Sequence, residues 1–144
     1  MNKAEPFIVQ VSRRYAHSRE EVYDAWLERD TVRRWLFTTP TGEMVSTDLD
    51  PRLGGKFNIT ERRDGKDVEH KGEYLELDRP NTIVFTFGVD ESDYSTVRID
   101  FRETADGCEL TLTHEIPAEY AEYVERTEQG WNTLLAKLDE VLAE

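Results

Sequence analysis

One cysteine, three histidines and no long apolar run leave these 144 residues little material for most kinds of site chemistry. With only Cys108, no intramolecular disulfide can form, and a reducing, cytoplasmic location fits. Cys108 follows Asp106-Gly107 with no base beside it in sequence, which suits a structural thiol rather than a nucleophile. His17, His70 and His114 are far from one another and from Cys108, so no sequence-local metal site is expected. No G-x-S-x-G, G-x-G-x-x-G or Walker loop is present. Hydrolase, dinucleotide and nucleotide readings lose their usual support, and no cofactor is expected. No stretch approaches the ~18 apolar residues of a membrane span, and Met1 to Pro6 lacks the apolar stretch of a signal peptide. Basic residues are also scarce, 18 against 31 acidic ones, for a net charge of −13. So acidic a surface repels phosphates and argues against nucleic-acid and anionic-membrane partners.

What is present suits a compact fold. Apolar residues make up 38 % and aromatics 10 %, enough for one core and one domain spanning residues 1–144. Phe7, Val9 and Val11 alternate with polar residues and predict a half-buried strand. Ser18 and Glu21 have capping-box spacing ahead of a short helix carrying Val22, Ala25, Trp26 and Leu27. A second short helix is expected from about Thr31 to Leu36. From Glu43 the period becomes two. Strands are predicted over Met44 to Leu49, Lys56 to Arg62, Asp67 to Leu77, Thr82 to Gly88, around Val97 to Phe101, and Glu109 to Ile116. Asp64-Gly65 and Asp106-Gly107 mark hairpins, and Asp90 to Asp93 reads as an acidic loop. Pro117 stops the last strand. A helix should then run from Ala118 to about Ala143 with an apolar stripe through Tyr120, Tyr123, Val124, Trp131, Leu134, Leu138 and Val141. Tight connections force antiparallel pairing, and a one-faced sheet and a one-striped helix must bury each other. The expected class is α+β: a curved antiparallel sheet of six to seven strands around a long C-terminal helix, with two short helices after the first strand.

Four stretches carry a family resemblance. They are Asp50-Pro51-Arg52-Leu53-Gly54-Gly55-Lys56-Phe57; Gly72 to Leu77 running through Pro80 to Phe87; Leu110 to Glu115; and Gly130-Trp131-Asn132-Thr133-Leu134-Leu135. In order and spacing the chain resembles the activator-of-heat-shock-protein-90-ATPase-like branch of the START/SRPBCC superfamily, from about Phe7 to Leu142. That resemblance implies the helix-grip fold and a hydrophobic or amphipathic small-molecule ligand held between sheet and helix. It also implies two alternatives, a cyclase- or dehydratase-type enzyme and a stress-related module with a chaperone partner. The eukaryotic co-chaperone carries a separate N-terminal chaperone-binding domain, for which 144 residues leave no room.

The candidate ligand-binding residues are Trp35, Tyr74, Phe85, His114 and Trp131. His114 shares strand parity with Leu110, Leu112 and Ile116, so it should point inward and need a partner. Trp35, Phe85 and Trp131 could wall a cavity or fill a core. Tyr74 shares parity with Gly72 and Glu76, opposite to Leu75 and Leu77, and parity alone leaves the inward set open. His114 and Tyr74 are the acid/base candidates of the enzyme reading. Gly130 inside a helix costs ~1 kcal/mol relative to alanine and suggests a close strand or a passing ligand. Arg13 falls on the apolar face of its strand, either emerging at the sheet edge or meeting a buried acid.

Overall fold

The computed structural model describes residues 6–89 and 94–143; the expected acidic loop, Asp90 to Asp93, lies outside them. The strands are β1 (Phe7–Tyr15), β2 (Glu43–Leu49), β3 (Lys56–Arg63), β4 (Lys66–Asp78), β5 (Thr82–Phe87), β6 (Ser95–Thr104) and β7 (Gly107–Ile116). Helices α1 (Arg19–Asp24) and α2 (Arg29–Val32) follow β1, and α3 (Val124–Leu142) ends the chain. Every pairing is antiparallel, in the order β1-β7-β6-β5-β4-β3-β2. This is an α+β helix-grip fold.

Local chemistry explains the joints. The Ser18 hydroxyl accepts from the Glu21 N–H, as its capping-box spacing requires. Gly72 in β4 stands where a Cβ would collide with the Thr86 carbonyl and the Phe57 ring. A register shift between Tyr74 and Glu76 reverses the parity of β4, which resolves the question that alternation left open. Tyr74 points inward before the bulge and Leu77 packs on the core after it, while Leu75 and Glu76 are exposed.

Three expectations need correction. The second helix is Arg29–Val32 rather than Thr31 to Leu36; the chain continues in turns to Phe37, whose φ of 60° takes it out of right-handed helix. The terminal helix is 19 residues long, because Ala118–Tyr123 forms a 3-10 segment with non-helical angles at Tyr120. That segment buries no residue, and Tyr123 is exposed. Gly130 stays within an unbroken α3, is exposed, and has nothing within 4 Å of a Cβ placed on it, so no strand approaches it.

The buried stripe of α3 is Trp131, Leu135, Leu138 and Val141; Leu134 is partly buried. Two polar links tie α3 to β1. The Tyr15 hydroxyl donates to the Leu135 carbonyl at 2.9 Å, and Arg13 Nη2 donates to Asp139 Oδ2 at 3.0 Å. Arg13 therefore emerges at the sheet edge onto an acid, with both side chains more than a third exposed. No helix of the described residues is long and apolar enough to cross a membrane.

Candidate functional site

Two spaces lie against the inner face of the sheet, one almost filled and one open. In the filled part Trp35 is fully buried and donates its indole N–H to the Ala25 carbonyl at 3.0 Å. Tyr74 and Phe85 are buried and, with Trp26, Leu36, Phe57 and Ile83, surround a void of only about 10 Å³. Burial pushes the Tyr74 phenol well above its ordinary value. The open part is a cavity of about 370 Å³ where β5, β6 and β7 meet the 3-10 segment. Phe87, Val89, Ile116, Pro117, Tyr120 and Tyr123 form its apolar walls, with Ser95, His114 and Thr127 among the remaining lining residues.

His114 is buried, and both ring nitrogens are engaged. Trp131 Nε1 donates to His114 Nδ1 at 3.0 Å. An indole N–H can only donate, so Nδ1 must carry the lone pair and Nε2 the proton. His114 Nε2–H therefore donates to Ser95 Oγ at 2.6 Å, and Ser95 points its own hydroxyl hydrogen at the Phe87 carbonyl, 3.5 Å away. The last contact is long and weak. Desolvation lowers the His114 pKa to about 4. Protonation would also set an Nδ1–H against the Trp131 N–H.

This tautomer decides what the Ser95–His114 pair can do. In a serine nucleophile's dyad the imidazole accepts from the hydroxyl, because a carboxylate on the other nitrogen takes the N–H. Here Trp131 occupies the carboxylate's place as a donor, and the polarity is reversed. His114 holds Ser95 in place and does not activate it.

Behind this wall lies an aromatic block. Phe37 stacks on His70 at 4.5 Å and on Phe87 at 4.9 Å, and its centroid is 5.9 Å from Trp131. His70 is buried, donates Nδ1–H to the Ile59 carbonyl at 3.1 Å, and meets Arg63 Nη2 through Nε2 at 3.4 Å. Burial lowers its pKa to about 4. Glu61, buried beside it, accepts from Arg63 Nε at 2.6 Å and from the Thr39 N–H and hydroxyl at 2.7 and 2.9 Å, so this carboxylate is fully partnered.

Of the five residues proposed from sequence, His114 and Trp131 are hydrogen-bonded to each other. Trp35 and Phe85 reach Trp131 only through Trp26, with ring separations of 4.6, 6.3 and 6.2 Å. Tyr74 and His114 line different spaces, so the acid/base pair of the enzyme reading does not share one. Sequence reasoning missed Ser95 and Glu61, although parity held the signal. Ser95 shares strand parity with Val97, Ile99 and Phe101, and Glu61 with Phe57 and Ile59. Phe37 offered no signal, since its position depends on a backbone angle that no local pattern announces. Among the described residues no three His, Cys, Asp or Glu side chains converge as a metal site.

A family model described as "Activator of Hsp90 ATPase homolog 1-like protein" matches residues 16–143. Solved structures share the fold at low identity. A protein of unknown function from Staphylococcus aureus is 23% identical with a TM-score of 0.85, covering 96% of this chain and 94% of that one. A protein from Nitrosomonas europaea is 20% identical with a TM-score of 0.83, covering 94% of each chain. An AHSA1-like protein from Aeromonas hydrophila is 16% identical with a TM-score of 0.83, covering 95% of this chain and 92% of that one. No curated protein matches the chain.

Proposed function

The chain belongs to the Activator of Hsp90 ATPase homolog 1-like family, and we propose that within it this protein binds a small hydrophobic or amphipathic molecule in the cavity beside His114. The observation that carries this reading is the cavity itself. At about 370 Å³ it falls within the ~300–1,000 Å³ of small-molecule pockets, and its apolar walls surround a single ordered polar pair, Ser95 and His114. The walls supply desolvation and the pair supplies orientation. Trp131 acts from behind, by fixing the His114 ring, and the Trp35, Tyr74 and Phe85 group keeps the sheet and helices in register around the filled part.

Titration with the neutral fluorophore Nile red tests the reading. One saturable site per chain is expected, with blue-shifted emission. Thr127→Trp, which places a large ring in the cavity from α3, should abolish it while circular dichroism stays native. Unsaturable binding, or binding unchanged in Thr127→Trp, would overturn the proposal. A chaperone-facing role rests on the family's description alone; no side-chain arrangement described above favours it.

A further inference from the structure

We infer that the cavity selects a neutral ligand whose polar group accepts a hydrogen bond from Ser95, and that it rejects the carboxylate of the same carbon chain. The inference deepens the binding proposed above and rests on it. It begins from the direction of the hydrogen bonds. Trp131 gives its N–H to His114, His114 gives its N–H to Ser95, and Ser95 is left with a hydrogen whose acceptor among the described residues is 3.5 Å away. A ligand carbonyl entering the cavity offers a better acceptor than that distant Phe87 oxygen. The chain of donors thus ends on the ligand, and each donor upstream is already committed.

Charge decides the rest. None of the described residues lining the cavity is Lys, Arg, Asp or Glu. His114 cannot become the counter-ion, because Trp131 blocks the nitrogen that would take the second proton. The 3-10 segment that forms one side carries Glu119 and Glu122, both exposed, on a chain of net charge −13. A carboxylate inside would lie in an apolar space with no cation among the described lining residues to pair with, a costly arrangement. Arg126 stands outside the lining, over the Tyr123 ring at 5.7 Å from its centroid, so it could serve only an anion left at the mouth.

Methyl decanoate and decanoate make a matched pair of probes, equal in chain and different in charge. At neutral pH the ester should displace Nile red at least tenfold more effectively than the acid. Ser95→Ala should weaken the ester roughly three- to tenfold, the range of one hydrogen bond. Ser95→Thr keeps the hydroxyl and should retain most of the affinity, which separates the hydrogen bond from any damage to the fold. Decanoate binding as well as the ester, or better, overturns the inference; loss of that binding in Arg126→Gln would place the anion at the mouth. Equal ester affinity in wild type and Ser95→Ala also overturns it, while leaving the cavity's role intact. Failure of both probes and of Nile red removes the binding proposal, and the inference falls with it.

Discussion

The two spaces on the inner face of the sheet differ in what closes them. At the filled space Trp26, Leu27 and Leu36, from the segment after β1, close on Phe57, Ile59, Tyr74, Ile83 and Phe85, and the void left is about 10 Å³. Over the open space the chain is a 3-10 segment with no fully buried residue, followed by Thr127 of α3, and about 370 Å³ remains. The same sheet runs beneath both. Large side chains in close contact fill the first space, whereas Tyr120 and Tyr123 of the 3-10 segment stand beside a hollow. Aromatic residues alone therefore do not mark a binding site here. What marks it is the open space beside the 3-10 segment and the polar pair that faces it.

The largest contrast should appear in stability. Leu138→Ala, on the buried stripe of α3 and with no exposed surface, should cost ~2–5 kcal/mol in denaturant melts. Tyr123→Ser, at the cavity mouth, should change stability by less than about 0.5 kcal/mol. Similar losses at both sites would erase the distinction.

Acid should sharpen it. The pKa values of His70 and His114 are lowered from 6.5 to about 4 by burial. The unfolded chain therefore binds more protons between these values, and stability present above pH 6.5 is lost as pH falls toward 4. For each ring the loss is at most roughly 3 kcal/mol. An NMR titration should find both rings neutral at pH 5.5. If His114 alone protonates near 6.5, the open end is wetter than its walls imply.

Removing the Trp131 N–H should have a smaller effect. Trp131→Phe leaves the buried His114 Nδ1 without its donor, at ~1–3 kcal/mol including some lost packing. It should also release the tautomer, visible as a change in the two ring-nitrogen shifts. A ring that keeps its proton on Nε2 in this variant would show that Ser95, not Trp131, sets the direction. Smallest is the binding effect of Tyr123→Ser, a few-fold loss of Nile red affinity from one exposed wall.

Much of this architecture was legible from residue order. Period-two runs, Asp-Gly turns and Pro117 placed every strand and the switch to helix, because those signals are local. His114 could be assigned to the inner face for the same reason. Parity failed at Tyr74 because the bulge that follows it reverses the count, and no residue type demands a bulge there. The stripe through Tyr120 and Tyr123 matched an α-helix on paper, yet propensity alone does not separate a first α-turn from a 3-10 turn. The cavity borders that segment, so it was hidden with it. Ser95 became a site residue only once Phe87 and His114 were placed on either side of it.

The strand order also has a consequence for synthesis. β1 is the first element of the chain, yet its only neighbour in the sheet is β7, with Phe7 opposite Ile116. The meander from β2 to β6 can zip as it emerges, one hairpin at a time. β1 must wait while about 90 residues are made, roughly 5–20 s at ribosomal rates. Until then its apolar face has no partner strand, and both edges of the growing sheet stay open. Distant pairing of this kind slows folding in general. During translation, this protein's most exposed period falls between the end of β1 and the arrival of β7.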